Sequence, residues 1–218
     1  MIDTANTVRR NILVLGATGG TGRHIVAQAL AQGHAVTALV RSPDKAKDLA
    51  GARLVTGDAR DEAALRAAVI GQEAVVIALG TPASPFREVT LLSTATRALI
   101  AAMKAERVSR LVAISGIGAG DSRGHGGFLF DRLIFPLLLR HVYADKDRQE
   151  ALVRNSGLDW TLVRPAILND KPGRGTLRAT DDLSGFNGGV ISREDVARFV
   201  IGEVADPKWI GRSPLVFW

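Results

Sequence analysis

Apolar and polar positions fall into blocks along the chain, and the blocks switch period in a regular order. Residues 10–15 carry a continuous apolar run closed by Gly16, the pattern of a strand buried on both faces, as in parallel sheets. Next, Ile25, Val26, Ala29 and Leu30 are spaced for one apolar helix face, and Gly33 stops it. Further strands are predicted over 35–40, 53–56, 74–79, 110–114 and 160–163. Helices are predicted over 61–69 and 89–105, and a third long helical region precedes the sixth strand. Strand and helix in strict rotation predict an α/β protein. Its expected architecture is a doubly wound parallel sheet, the Rossmann fold, with right-handed crossovers and one domain over 1–218.

After Pro165 this rhythm breaks. Asn169-Asp170-Lys171-Pro172-Gly173-Arg174-Gly175 is turn chemistry, and 181–189 is similarly loop-like. A short helix is expected from Ser192, where Ser192-Arg193-Glu194-Asp195 has the form of a capping box. This C-terminal region, about 166–218, is expected to form the wall and lid of a pocket over the carboxyl ends of the strands.

Composition narrows the function. Hydrophobic residues make up 46% and charged residues 23% of the 218, which fits a soluble globular chain and not a disordered one. With no Cys, disulfides, a thiol nucleophile and thiolate metal sites are excluded. Four scattered His offer little for a metal, and none is expected. The longest apolar stretch, around 133–139, is far short of the ~20 residues that span a bilayer. The start, Met1-Ile2-Asp3-Thr4-Ala5-Asn6, lacks the order of a signal peptide. A cytoplasmic protein with no membrane partner is expected. The net charge of +6 raises nucleic acid as a partner. The cations are interspersed with acids, however, and no aromatic platform sits among them, so no nucleic-acid partner is expected. A polyanionic small molecule explains the excess equally well.

Gly16-Ala17-Thr18-Gly19-Gly20-Thr21-Gly22 lies between the first strand and the first helix. Glycines there allow a tight turn, close approach of the backbone to a pyrophosphate, and close helix–strand packing. The helix N-terminus then offers free N–H groups to phosphate. The spacing is Gly-x-x-Gly-x-x-Gly, which differs from the better-known Gly-x-Gly-x-x-Gly, but the strand–turn–helix context is the one the motif requires. At the end of the second strand, where NAD-binding folds carry an acid for the ribose hydroxyls, the chain reads Val40-Arg41-Ser42. A planar guanidinium and a hydroxyl suit a 2′-phosphate, so NADP(H) is the expected cofactor. Arg23, just beyond the last glycine, is a candidate to assist.

Several further motifs follow in order: Gly57-Asp58, Ala78-Leu79-Gly80-Thr81, Ser156-Gly157-Leu158-Asp159-Trp160-Thr161, Val163-Arg164-Pro165 and Ile191-Ser192-Arg193-Glu194-Asp195-Val196. Together with the glycine loop they resemble the atypical short-chain dehydrogenase/reductases of the NAD(P)H-binding, NmrA-like type. The resemblance is nearest to the biliverdin- and flavin-reducing branch and runs from about Asn11 onward. It implies that Asp58 bonds the adenine amino group with Ala59 beside it, and that Leu79, Gly80 and Thr81 border the ribose and pyrophosphate. Ser115 and Gly116 would lie by the nicotinamide, and Ala166 and Ile167 would offer backbone groups to its carboxamide.

The chain departs from the short-chain dehydrogenase pattern at one place. The familiar enzymes use a Tyr-x-x-x-Lys pair with a Ser at the end of the fifth strand. Ser115 and Lys146 fit two of these roles and are the candidate catalytic residues, but position 142 is Val142, and the chain's one Tyr is Tyr143. That offset turns the side chain by roughly 100° around the helix, although Tyr143 and Lys146 remain i,i+3 neighbours. An alkoxide product needs a well-placed acid, whereas a reduced quinone or flavin is a stabilised anion nearer a phenol's ~10. The expected activity is therefore NADPH-dependent hydride transfer to a small-molecule substrate that is a flat conjugated acceptor: a flavin, quinone or tetrapyrrole. The alternative is a non-catalytic NADP(H)-binding redox sensor acting through a protein partner. An epimerase with retained cofactor would depend on the missing Tyr. The apolar stretch 128–139 is open to three roles: a lid, a homodimer contact or core.

Overall fold

The computed structural model describes residues 9–218; the start read above for a targeting signal lies outside them. Six parallel strands form the centre of the sheet: β1 (Asn11–Leu15), β2 (Ala35–Val40), β3 (Arg53–Thr56), β4 (Ala74–Ile77), β5 (Arg110–Ile114) and β6 (Asp159–Pro165). Their order is β3-β2-β1-β4-β5-β6, the doubly wound arrangement expected. Both faces of β1 are buried. Ile12 and Val14 pack on the layer of α1 (Gly20–Ala31) and α5 (Arg193–Ala205), while Leu13 and Leu15 face the layer of α2 (Glu62–Val69) and α3 (Leu91–Ala105). This two-sided burial is why the strands read as continuous aliphatic runs. Among the described residues no helix is long and apolar enough to cross a membrane.

The C-terminal region is more ordered than the sequence suggests. β7 (Ile167–Asn169) pairs with β9 (Val190–Ser192) as a separate two-stranded sheet. β10 (Leu215–Phe217) extends the main sheet parallel to β6, and β8 (Arg178–Thr180) closes the edge antiparallel to β10. Three-residue strands are too short to show a period, so loop chemistry masks them. The helix from Ser192 is not short either; α5 runs 13 residues. Ser192 caps it, accepting from the Asp195 amide at 3.0 Å, but Asp195 does not complete the expected box. Its wholly buried carboxylate instead accepts from the Arg174 amide at 2.7 Å and the Trp218 indole N–H at 2.8 Å, fastening the 170–175 turn and the chain end to α5.

A single helical rod leads into the sixth strand. Its first part, Phe130–Leu139, is π-helical and runs directly into α4 (Arg140–Arg154). Asp145 of α4 is wholly buried and caps α3 from outside, accepting from the Leu92 amide at 2.7 Å and from the Ser93 hydroxyl at 2.5 Å. Cross-element capping of this kind satisfies N–H groups that Thr90, the residue before α3, leaves bare. One turn further on, Glu150 receives a two-pronged bond from Arg164 of β6, at 3.0 and 2.6 Å, with both residues buried. Asp121, in the segment after β5, meets the same guanidinium at 2.5 Å. Glu150→Ala leaves that buried charge with only its surface partner, and we expect a loss of ~3–5 kcal/mol, read as a lower urea midpoint at unchanged slope.

Candidate functional site

The strand order reverses between β1 and β4, and the first loop of the site opens there, as ligand crevices do in open α/β sheets. A cleft of about 220 Å³ is lined by Gly16, Thr18 and Gly19 from the loop, Arg41 from the end of β2, Asp58 and Ala59 beyond β3, and Leu79 and Gly80 beyond β4. Gly16 takes φ +83°, and a side chain there would collide with the Ala78 carbonyl. Gly22 lies against Gly16 with no room for a methyl group. Ala17 is buried beneath the loop, and Gly20, Thr21 and Gly22 form the first turn of α1. Gly19 precedes that helix without a side-chain cap, and no acid stands in the first turn, so the positive end of α1 is open to an anion. The Thr81 hydroxyl, one residue beyond Gly80, is buried without a hydrogen-bond partner among the described residues.

Among the described residues Arg41 makes no side-chain hydrogen bond or ion pair, and its guanidinium is exposed at the rim. Ser42 begins the 3₁₀ turn Pro43–Ala46 without spending its hydroxyl on a cap. Arg23 behaves differently from expectation. It donates to the Thr18 carbonyl at 3.0 Å and the Lys45 carbonyl at 3.0 Å and pairs with Asp48, so it braces the glycine loop instead of reaching toward a phosphate. Asp58 faces the cleft, but Arg60 grips it with both prongs at 2.8 Å and adds its backbone amide at 2.8 Å. These bonds hold the Asp58 carboxyl well below the ordinary carboxylate range. The sequence reading did not pick out Arg60, although its position two residues after Asp58 is a turn signal.

The second half of the site lies at the ends of β5 and β6. Ser115, Gly116, Lys146, Ala166 and Ile167 come together around a pocket of about 220 Å³ that Ile117, Phe130, Tyr143 and Leu168 also line. Lys146 donates from Nζ to the Ser115 carbonyl at 2.9 Å. Burial brings its ammonium down to about 8, against the opposing pull of Glu150 and Asp145. The Ser115 hydroxyl is buried with no partner. Tyr143 is not turned out of this pocket by its one-residue offset: it shares a helix face with Lys146 as an i,i+3 neighbour, and its hydroxyl lies 3.3 Å from where a Gly116 Cβ would stand. Burial, then Asp131 and Asp147, push its phenol well above the ordinary tyrosine range. Phe130 and Phe135 hold the ring edge-on and tilted, with centroids 5.9 and 5.1 Å away. The apolar stretch is thus divided. Phe130, Ile134, Phe135 and Leu139 pack inward on Tyr143, whereas Phe128, Leu129, Leu133, Leu137 and Leu138 are exposed.

A sequence model described as NAD(P)H-binding matches residues 16–207. The chain belongs to this NAD(P)H-binding family. The uncharacterised sugar epimerase YhfK of Bacillus subtilis is 31% identical over 93% of this chain and 91% of its own length. The NAD(P)H azoreductase of Xenophilus azovorans is 31% identical over 72% of this chain and 48% of its own. Among solved structures, a Rossmann-fold NAD(P)-binding protein from Shigella flexneri superposes with a TM-score of 0.73 at 27% identity, over 96% of this chain and 93% of that one. The glycine loop, the open end of α1 and the unpartnered Thr81 and Ser115 hydroxyls fit such a dinucleotide. In this NAD(P)H-binding protein, Gly22→Ala would force a methyl into the Gly16 carbonyl. We expect a stability cost of ~1–3 kcal/mol and weaker dinucleotide binding, measured by thermal unfolding with and without nucleotide.

Proposed function

We propose that the protein is an NADPH-dependent oxidoreductase that passes hydride to a flat conjugated acceptor such as a flavin, quinone or tetrapyrrole. One observation carries this reading: Lys146 is fixed on the Ser115 carbonyl at 2.9 Å in a pocket walled by Ile117, Phe130, Tyr143 and Leu168. Burial lowers the Lys146 ammonium to about 8 and raises the Tyr143 phenol beside it, which leaves the lysine as the better proton source near neutral pH. The bound dinucleotide supplies the hydride. Ser115 offers an unpartnered hydroxyl to the nicotinamide side or to the acceptor. Lys146, fixed by the Ser115 carbonyl, presents a cation and a proton to developing negative charge. Phe130, Tyr143, Ile117 and Leu168 give the pocket apolar and aromatic walls, which suit a planar acceptor and keep water away. The reductase name of the Xenophilus azovorans relative supports the same direction. The epimerase name of the Bacillus subtilis relative points elsewhere, and that chemistry would need the Tyr143 phenol to give up a proton that burial makes it hold tightly.

Cofactor choice rests on Arg41 and Ser42 in place of an acid. We expect NADPH to bind more tightly than NADH, and Arg41→Ala to remove ~10-fold or more of that preference, the scale of one charge-assisted contact. Titration of both dinucleotides checks this, and equal affinities in the parent protein would refute it.

An NADPH-oxidation screen against flavins, quinones, azo compounds and biliverdin tests the activity. Lys146 is charged below about 8 and neutral above it, so turnover should fall as pH rises through that value. Lys146→Met should lose ~10²-fold in turnover and lack the alkaline limb, Ser115→Ala should also fall, and Tyr143→Phe should keep most of its rate. A protein that binds NADPH yet is silent across the whole panel would be the redox sensor instead.

A further inference from the structure

Arg193 occupies a place that its local sequence does not announce. It is the first residue of α5, and its side chain lies across the first residue of α1: Cδ and Nε come within 2.8 and 2.9 Å of where a Gly20 Cβ would stand. The two helices pack side by side over the same face of the sheet, and Gln28, two turns into α1, donates to the Glu194 carbonyl at 3.0 Å, so Arg193 reaches the first residue of α1 by the length of its side chain. Gly20 is thus a glycine for a reason beyond the turn itself, because any side chain would displace this guanidinium. The guanidinium in turn is held by Asp170, from the turn after β7, through Nη1 at 2.9 Å. That carboxylate is 84% exposed, and an ion pair so open to water contributes little stability.

We propose that Arg193 is a diphosphate-binding side chain of the cofactor site, and that Asp170 is an internal anion which occupies it until a dinucleotide arrives. This rests on the dinucleotide reading above and adds to it a residue and a competition. Arg193 spends one nitrogen on that carboxylate, and a guanidinium that meets one oxyanion can meet a phosphate in its place. The open end of α1 lies beside it with neither an acid nor a side-chain cap of its own. Exchange of partners would also release the 170–175 turn at one of its ties. The Gly173 amide bonded to Glu194 at 2.8 Å and the Arg174 amide bonded to Asp195 remain as its hinge side.

The test is a set of binding titrations with NADP⁺ and with 2′-AMP, which carries the 2′-phosphate but no diphosphate. Arg193→Ala should weaken NADP⁺ by ~10-fold or more, the scale of one charge-assisted bond, and leave 2′-AMP unchanged. Asp170→Asn should tighten NADP⁺ several-fold and lose that effect in the Arg193→Ala background. Arg193→Lys should recover part of the affinity, which separates a charge contact from a packing one. Equal losses for NADP⁺ and 2′-AMP, or an Asp170→Asn protein that binds as the parent does, would overturn the proposal. If the parent prefers NAD⁺, the pair NAD⁺ and adenosine takes the same role, with the same two outcomes. A folded parent that binds neither dinucleotide would instead defeat the cofactor reading on which the proposal stands.

Discussion

The guanidinium of Arg164 joins three pieces of chain that must meet for the pocket at the ends of β5 and β6 to exist. Through Glu150 it holds α4, through Asp121 it holds the segment after β5, and its own backbone lies in β6. Those pieces carry Lys146, Ser115 and Ala166 respectively. A charge this deep is tolerated only because its partners are fixed, so the pair specifies one relative placement of helix and strands. The same carboxylate pulls the Lys146 ammonium upward while burial pulls it down. Glu150 thus sets the shape of the pocket and part of its proton affinity together.

The cofactor end relies on sterics more than on charge pairing. Gly16 and Gly22 let the loop fold onto itself and onto the end of β4, and α1 begins with nothing in front of its free amides. The cations are arranged around this turn with distinct duties. Arg23 braces the loop from behind, Arg60 shapes Asp58, and Arg41 stands uncommitted at the rim. A modest positive excess therefore divides into cations tied into the fold and others left open at the cleft, which net charge alone does not reveal.

The parallel core was legible because its strands are buried on both faces and its helices on one, which writes two different periods into the chain. That the glycine loop and Arg41 line one cleft was legible because a strand–turn–helix context gives short motifs a meaning. Other features depend on contacts between residues far apart in sequence. Asp145 reads as one acid among charges, yet it caps a helix some fifty positions earlier. Asp195 reads as the second half of a capping box and is instead the anchor of the chain end. Tyr143 looked misplaced by one residue, since helix arithmetic fixes an angle but not the width of the wall it must reach. The strands of the C-terminal region were hidden by their length.

The π-helical stretch ahead of α4 has a consequence for how such a pocket can diversify. Each hydrogen-bonded loop of a π-helix encloses one residue more than that of an α-helix. A length change between Phe130 and Leu139 can therefore be absorbed by winding or unwinding locally, while α4 keeps its rotational setting. That setting is pinned independently by Asp145 on α3 and Glu150 on β6. The aromatic wall can lengthen, shorten or change its residues without carrying Lys146 off the end of β5. The aromatic wall of the pocket and the placement of Lys146 are thereby set by separate parts of one continuous rod.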